Sequence, residues 1–460
     1  MEDFKSFSFN PSKHLKEEFV SNLSGSSIIE LISLILIVPA LIVLRHWGAG
    51  FCIINDGCMP SRYIHWRVYM LTLSMDFLSF VLPTLAVFTV LADWAYTITI
   101  LMIFLIISIL IKRFWLSTYG PGQHHNSSLR SYVSSYRVVV MVVTCLCILA
   151  VDFKNFPRRY AKTEAYGISL MDLGVGSFVV ANSLVSRLAR NMMLISWKSA
   201  MKDTAPLLIL GIIRILSTSG VDYQVHVGEY GVHWNFFFTL AAVSVLTHSI
   251  NIHPNYCGIF ALLILIAYQI CLILGLNEYL LSNSRGSDII SQNKEGLFSI
   301  FGYWGMYLAG VYFGYKLLYG SVKTVTKSSV NMARIKVWSL TIFFWLSTVI
   351  LDKCVERVSR RMCNMAYVSL VLAGNFQVLA IVMLSDLLPS RGTLLLEEAI
   401  DRNMLGIFLI ANLLTGLVNL TVDTLSATSF ASFCILLGYA GILSSFAGIT
   451  CFYGIKMKFW

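Results

Sequence analysis

Long apolar runs alternate with short polar connections along nearly the whole chain. Thirteen of these runs approach the roughly 20 residues that a helix needs to cross a bilayer. They cover residues 27–45, 68–91, 94–112, 132–151, 168–187, 204–218, 231–250, 257–276, 297–317, 336–352, 366–388, 404–422 and 430–455. The pattern therefore predicts an all-α, polytopic integral membrane protein with about 13 transmembrane helices.

The polar connections are short, and no soluble domain, internal repeat or linker interrupts the runs. We therefore expect a single membrane domain at residues 27–455, with a polar segment at 1–26 before it and a tail at 456–460 after it. Because the first residues are charged, no cleavable signal peptide is expected. The composition agrees, since 57% of the residues are apolar and only 13% are charged, against about 25% charged residues in soluble domains.

The Lys and Arg residues of the loops predict the orientation, because cytosolic loops are enriched in them. The loops on the C-terminal side carry 20 and those on the N-terminal side carry 13, with Arg214 inside a run. This bias predicts a cytosolic C-terminus and a non-cytosolic N-terminus. Eight of the 13 fall in two loops, VDFKNFPRRYAKTE and DKCVERVSRRM. They indicate either a phosphorylated ligand on that side or salt-bridged loop caps, and charge alone does not decide between the two.

The net charge of +10 adds one constraint. It suggests contact with anionic lipid head groups or with a phosphorylated substrate. Nucleic acid is not expected as a partner, because no basic domain stands clear of the membrane. The ten cysteines show no metal-ligand spacing, so no metal site is predicted.

Ionisable residues at membrane depth begin after the fourth run. Such groups are expensive in a bilayer and indicate a functional site. A proline breaks the connecting loop, basic residues follow, and an acid lies about one turn inside the next run beside a Gly-Val-Gly sequence. The candidates in this stretch are Asp152, Arg158, Arg159, Lys162, Asp172 and Val175.

A second polar stretch, DYQVHVGEYGVHWNFFFTL, leads directly into an aromatic helix. It emerges on the same predicted membrane face as the first, so we expect one pocket with loops near 152–167 and 219–231 at its rim. The candidates are Arg214, His226, Glu229, His233, Trp234, Asn235 and Phe238. A histidine at a helix start is also often a cap, and Trp234 and Tyr230 also fit an interfacial aromatic belt.

A polar seam follows one face of the run at 404–422. Asn412, Thr415, Gly416 and Asn419 recur there at helical spacing. Small and polar residues at this spacing are typical of close helix packing in membranes, and a substrate-lining role is the alternative.

The two polar stretches resemble a known family. AVDFKNFPRRYAKTEAYGISLMDLGVGSFV and DYQVHVGEYGVHWNFFFTL are similar to the signature segments of the glucosaminyl-phosphatidylinositol inositol acyltransferases, the PIG-W family of GPI-anchor synthesis. KEEFVSNLSGSSIIE, SRRMCNMAYV and ANLLTGLVNLTV extend the resemblance over nearly the whole chain, which looks like a fungal member. The second motif departs from the family at Val225 and Gly228, where the family has Glu and Thr.

The resemblance implies a multi-pass enzyme of the endoplasmic reticulum, with the non-cytosolic side as the lumen. It would move a fatty acyl chain, usually palmitoyl, from acyl-CoA to the inositol 2-hydroxyl of glucosaminyl-phosphatidylinositol. Asp152 is then implied as the base, and Lys162 as the group that stabilises the oxyanion or binds phosphate; His226 or His233 is the competing base. Acyl-CoA is a co-substrate, and no further cofactor or obligate protein partner is expected.

Two other functions fit a polytopic chain with buried charges. A secondary transporter is one, although the absence of any repeat counts against it. A lipid scramblase is the other; it needs a polar groove but no cluster of acid, base and cation.

Overall fold

The structure, a computed structural model, describes the greater part of the chain. The described residues are 18–19, 21, 23–49, 66–117, 129–192, 197–219, 227–282, 284–319, 327–387 and 394–457. Among the sequence predictions, His226, most of the segment 1–26, much of the loop at 219–231 and residues 458–460 of the tail lie outside the described residues.

Most of the described residues are helical. The helices are α1 (Ile28–Ala49), α2 (Trp66–Asp76), α3 (Leu82–Phe88), α4 (Ala95–Ser117), α5 (Leu129–Ala150), α6 (Asp172–Leu184), α7 (Trp197–Ser219), α8 (Val227–Tyr230), α9 (Phe236–Ile250), α10 (Pro254–Cys271), α11 (Asn277–Leu281), α12 (Ile289–Gln292), α13 (Lys294–Gly314), α14 (Lys327–Cys354), α15 (Met365–Val382), α16 (Leu395–Arg402), α17 (Met404–Thr421) and α18 (Ser429–Phe452). Five-residue π-helical turns follow α2, α10 and α13. Within the described residues there is no strand, only an isolated bridge between Gly25 and Ile168. The predicted all-α fold is confirmed.

Nine helices in the described part of the chain are long and apolar enough to cross a membrane. They are Ile28–Gly48, Trp66–Phe88, Ala92–Lys112, Ser131–Ala150, Pro254–Leu281, Val330–Cys354, Met365–Val382, Met404–Thr421 and Ser429–Phe452. Two further apolar helices, Thr204–Ser217 and Phe236–Ile250, are shorter. The chain is thus a multi-pass membrane protein, whereas the predicted number of about 13 spans is not confirmed.

The clearest difference concerns the predicted run at 168–187. Its helix, α6, has only 13 residues and begins at Asp172. The preceding residues form an irregular loop, which the bridge from Gly25 to Ile168 ties down. A helix of this length rises only about 20 Å, short of the roughly 30 Å hydrocarbon core.

The described residues fall into two compact units, and the first comprises those that lie within 1–25, 161–322 and 343–372. In this unit α13 packs against α6, α9 and α10. Glycines of α13 allow the close approach: a Cβ added at Gly305 would lie 2.6 Å from the side chain of Leu265 in α10, and one at Gly310 would collide with Ser183 of α6. Small residues at such crossings are typical of membrane helix packing.

The second unit comprises the described residues within 26–160, 323–342 and 373–460. Here α1 packs against α4, α5 against α17, and α16 against α18. Arg45 Nε donates to Asp76 Oδ1 at 2.9 Å, and His46 Nε2 lies 3.1 Å from Glu397 Oε2, all four side chains being largely buried. Buried polar and charged groups persist when they have partners, so these contacts fix how α1, α2 and α16 meet. The single membrane domain at 27–455 stays a prediction.

Candidate active site

Asp172, the first residue of α6, organises the loop before it. Its side chain is fully buried. Oδ1 accepts the backbone N–H of Thr163 at 3.1 Å, and Oδ2 accepts the hydroxyls of Thr163 and Ser169, both at 2.8 Å. The carboxylate also lies at a helix N-terminus, where the helix dipole favours negative charge. These bonds fold the loop back onto α6 and fix the position of Lys162, the residue before Thr163.

Arg360, in the loop between α14 and α15, links Asp172 to α8. Its Nε donates to Asp172 Oδ1 at 2.9 Å, and its Nη1 donates to Glu229 Oε1 at 2.8 Å. Glu229 lies in α8 and also accepts two bonds from Lys162 Nζ, at 2.9 and 3.2 Å. Asp172, Arg360, Glu229 and Lys162 thus form a continuous chain of ion pairs, which we call the ion chain.

The ion chain runs from the interior of the first unit to its surface. The exposed fraction of the side chain is 0% for Asp172, 5% for Arg360, 16% for Glu229 and 41% for Lys162. Lys162 is therefore the member that a ligand can reach. Asp172, Arg360 and Glu229 hold Lys162 in place, because each buried charge in the ion chain is matched by an opposite charge.

The two middle members of the ion chain stabilise each other's ionised form. Burial by itself would raise the pKa of Glu229, but the charges of Lys162 and Arg360 outweigh burial and hold that pKa well below its ordinary value of 4.5. Burial by itself would lower the pKa of Arg360, but Glu229 and Asp172 raise it above the ordinary value. Glu229 and Arg360 are consequently both ionised at neutral pH.

Replacing Glu229 by Gln is expected to destabilise the fold by about 1.5–3 kcal/mol, the typical contribution of a hydrogen bond to a charged group. Because folding depresses the pKa of Glu229, this stabilisation is present above the ordinary pKa of 4.5 and is lost as the pH falls through the folded-state pKa. The difference in Tm between the wild type and Glu229→Gln should therefore shrink in acid. Glu278→Gln, at an exposed position of the same unit, is the control; a pH-independent difference for Glu229→Gln would contradict the ion chain.

The loop after α8 is anchored on the start of α13. Gly231 has a φ of +114°, and a Cβ there would lie 2.5 Å from Asn293 Cα, so only glycine fits without strain. Asn293 Oδ1 accepts the backbone N–H of His233 at 2.8 Å, while the His233 side chain is exposed. Tyr230 is buried, 8% exposed, and its predicted place in an interfacial aromatic belt stays a prediction.

The candidates at the start of α9, Trp234, Asn235 and Phe238, contact neighbouring parts of the protein. Asn235 caps α9 by accepting two backbone N–H groups of the first turn, at 3.0 and 3.3 Å, and its Nδ2 donates to the carbonyl of Gly211 in α7 at 3.0 Å. Trp234 Nε1 donates to Thr239 Oγ1 at 3.0 Å, and its ring packs edge-on against Phe238. These contacts favour capping and packing, and the substrate contacts predicted for these residues stay predictions.

Three other candidates have fewer described contacts. Arg214 is exposed near the end of α7, and its charge contributes to the low pKa of Glu229. Val175 is half-buried on α6. His226 lies outside the described residues, so its predicted role stays a prediction.

Asp152 lies in the second unit, two residues after α5, and is half-buried. Its Oδ2 accepts a hydrogen bond from Asn419 Nδ2 at 2.7 Å. Asn419 belongs to the predicted polar seam; Asn412 and Thr415 of the same seam donate to carbonyls of their own helix, α17. Asn419 is therefore a contact of the predicted base that the sequence analysis missed, because spacing alone did not connect the seam to Asp152.

Arg158 and Arg159 have intramolecular partners in the second unit. Nη2 of Arg158 donates to three backbone carbonyls at 2.8–3.2 Å. Burial lowers the pKa of Arg158 to about 10, although the charge of Asp152 opposes the shift. Arg159 donates to Glu30 at 2.8 Å and to Asp93 at 2.9 Å. The two carboxylate partners of Arg159 favour a salt-bridged loop cap, and Arg158 is held by backbone carbonyls. Phosphate recognition by the two residues stays a prediction.

Arg360 is the other residue that the sequence analysis left out of the site. It was counted only among the basic residues of a non-cytosolic loop, and that excess of basic residues was the one signal available. The bond from Arg360 to Asp172 joins positions 188 residues apart, so no local pattern predicts it. In the described part of the chain, no three or more His, Cys, Asp or Glu side chains are grouped as metal ligands.

Comparison with known proteins adds an independent line of evidence. The family model GWT1 matches residues 12–450. An uncharacterized protein of Arabidopsis thaliana is 51% identical over 91% of this chain and 98% of its own length. The phosphatidylinositol-glycan biosynthesis class W protein of Dictyostelium discoideum is 31% identical over 97% of this chain and 99% of its own length. The GPI-anchored wall transfer protein 1 of Emericella nidulans is 34% identical over 95% of this chain and 96% of its own length. These identities do not favour the fungal origin expected from the motifs.

Proposed function

The chain belongs to the GWT1 family and takes part in GPI-anchor biosynthesis, and we propose that it transfers a fatty acyl chain from acyl-CoA to the inositol 2-hydroxyl of glucosaminyl-phosphatidylinositol. Both substrates carry phosphate groups and acyl chains. A membrane protein with a charged, accessible rim suits this pair, because the acyl chains remain in an apolar phase while the reacting groups meet polar side chains.

The observation that most supports this proposal is the position of Lys162 at the accessible end of the ion chain. Its ammonium is held by both oxygens of Glu229, and Glu229 is held in turn by Arg360. A cation fixed in this way can stabilise negative charge that develops in a transition state without having to reorganise. We assign Lys162 this role toward the oxyanion of the acyl group.

Acyl transfer also needs a base. The inositol oxygen attacks the thioester carbonyl carbon, a C–O bond forms, and the C–S bond breaks to release the thiolate of CoA. The hydroxyl proton must leave as the oxygen attacks, so a positioned base accelerates the step. We assign this proton to Asp152, which accepts a hydrogen bond from the side-chain amide of Asn419. No covalent acyl-enzyme is part of the proposal.

The proposal places the enzyme in the endoplasmic reticulum membrane, with a lumenal N-terminus and a cytosolic C-terminus. The orientation rests on the 20-to-13 division of basic residues between the loops of the two sides. A glycosylation acceptor appended after Trp460 should stay unmodified in cells, while the same acceptor placed before Met1 should be glycosylated. Efficient glycan addition at the C-terminal acceptor would overturn the orientation.

The proposed activity can be tested in cells that lack their own inositol acyltransferase. Such cells are expected to accumulate glucosaminyl-phosphatidylinositol without an acyl group on the inositol. Expression of this chain should convert the accumulated lipid to its inositol-acylated form, as measured by mass spectrometry of lipid extracts. Persistence of the unacylated lipid, with the protein present and folded in the membrane, would argue against the proposal.

A further inference from the structure

A second group of charged side chains surrounds the start of α13 in the first unit. Glu295 is fully buried. Its two oxygens accept bonds from Arg285 at 2.7 and 3.1 Å, and Oε1 also accepts one from Arg361 Nη2 at 2.8 Å. One enclosed carboxylate thus holds two guanidinium groups.

The neighbouring Lys294 adds a third cation to this group. Its side chain is fully buried, and its ammonium donates to the carbonyls of Tyr279 and Ser282 at 2.7 and 2.8 Å. It also lies 4.7 Å from the centre of the Tyr279 ring. These partners are uncharged, so the ammonium of Lys294 is stabilised by hydrogen bonds to neutral groups. The carboxylate of Glu295 pairs instead with Arg285 and Arg361.

Arg361 has hydrogen-bond donors that the described residues do not satisfy. The side chain of Arg361 is only 8% exposed. Its Nη2 donates one hydrogen bond to Glu295 and one to the carbonyl of Leu280. Its Nε is buried without an acceptor, and no described residue accepts a bond from Nη1. An unmatched buried donor costs about 1–3 kcal/mol, and more when it is charged. The oxygens of a bound phosphate would supply acceptors for such a group.

Gly228, in α8, places no side chain against the guanidinium of Arg361. A Cβ added at Gly228 would have as its nearest neighbours Nη1 of Arg361 at 3.5 Å, Cζ at 3.6 Å and Nη2 at 3.8 Å. Residue 228 therefore lies next to the Nη1 side of the guanidinium, and as a glycine it adds no side chain there. Gly228 directly precedes Glu229 of the ion chain. Residue 228 therefore lies next to the residue whose carboxylate holds Lys162, the proposed catalytic cation.

We infer that Arg361 binds a phosphate group of a substrate beside Gly228. The inference rests on the proposed function, since both proposed substrates carry phosphate. A guanidinium is suited to this task, because its planar donors match phosphate oxygens and its charge does not depend on pH. The phosphate belongs either to the phosphodiester of the inositol lipid or to CoA. The sequence analysis gave a phosphorylated ligand as one explanation for the basic loop DKCVERVSRRM. The inference assigns that phosphate to one side chain of the loop, Arg361.

The test uses Gly228→Asp with Gly228→Asn as its matched control in the full-length, detergent-solubilised protein. Arg361→Ala is less suitable, because it deprives Glu295 of a partner and endangers folding. At Gly228 a Cβ would make ordinary contacts, so both variants should fold. Asp places a carboxylate against the guanidinium and competes with phosphate, whereas Asn has the same shape without the charge.

Binding is measured with three soluble probes: glycerophosphoinositol, CoA, and myo-inositol as the probe without phosphate. Gly228→Asp should bind one of the two phosphate probes at least tenfold more weakly than Gly228→Asn, with a smaller ratio at high salt. The weakened probe identifies the source of the phosphate. Equal Kd values of the two variants for both phosphate probes would overturn the inference.

The wild-type protein is assayed for acyl transfer in parallel, so that the two proposals can fail separately. If acyl transfer occurs and the two Gly228 variants bind alike, only the phosphate site is refuted. If no acyl transfer occurs but Gly228→Asp selectively loses a phosphate probe, the phosphate site stands and the proposed reaction is refuted.

Discussion

Asp152→Asn is expected to abolish acyl transfer while leaving acyl-CoA binding largely intact. Asn keeps the size of the side chain and can still accept the 2.7 Å hydrogen bond from Asn419, but it cannot take up the hydroxyl proton. Loss of a positioned base typically lowers the rate by about 10²–10⁴-fold. The expected signature is therefore a large fall in kcat with little change in the Kd for palmitoyl-CoA.

The two histidines are the comparison for Asp152. His226→Ala and His233→Ala should each retain measurable activity if Asp152 is the base; His233 is exposed and held through its backbone N–H rather than its ring. A near-normal kcat for Asp152→Asn, together with an inactive histidine variant, would move the base to that histidine and refute the assignment of Asp152.

Lys162→Ala is expected to lower kcat by about 10²–10³-fold, the usual effect of removing one group that stabilises an oxyanion. The fold should survive, because Lys162 is 41% exposed and the partly exposed Glu229 keeps its bond to Arg360. The pair of Arg361 and Glu295, in contrast, is enclosed. Lys162→Arg should restore little activity, since a planar guanidinium does not replace a compact ammonium at the end of a flexible stem. Single-turnover rates with saturating substrates measure this effect without a contribution from binding.

Lys154→Ala is the matched control for Lys162→Ala. Lys154 is an exposed lysine eight positions earlier in the chain, and its removal should change neither kcat nor KM by more than a small factor. If Lys162→Ala instead raises KM at constant kcat, Lys162 binds substrate equally in the ground and transition states. That result would exclude the oxyanion role.

The positions of the helices could be predicted from the sequence because length and apolarity alone determine where a helix can be buried in lipid. The limits of that rule are visible at α6 and α13. The bonds of Asp172 to Thr163 and Ser169 start α6 four residues later than its apolar run. α13 has 21 residues, but its glycines and tyrosines dilute the apolar residues, and it is not among the nine helices that meet the criteria for a span in the described part of the chain.

The site was predictable in its residue types but not in its connections. Lys162, Asp172 and Glu229 were singled out because charges near lipid are rare and need a reason. Their pairing through Arg360 depends on the loop before α15 meeting α6 and α8. The pairing of Asp152 with Asn419, 267 positions apart, depends on the residues after α5 meeting α17. Such contacts follow from tertiary packing, and one sequence carries no local signal for them.

The reaction itself is tested most directly with the purified full-length protein, isotopically labelled palmitoyl-CoA and glucosaminyl-phosphatidylinositol. A second reaction contains the same lipid with its inositol 2-hydroxyl methylated. Mass spectrometry with fragmentation of the lipid should find the labelled acyl group on the inositol in the first reaction and no acylated product in the second. Absence of product in the first reaction, or equal acylation of the methylated lipid, would contradict inositol 2-O-acyl transfer by this protein.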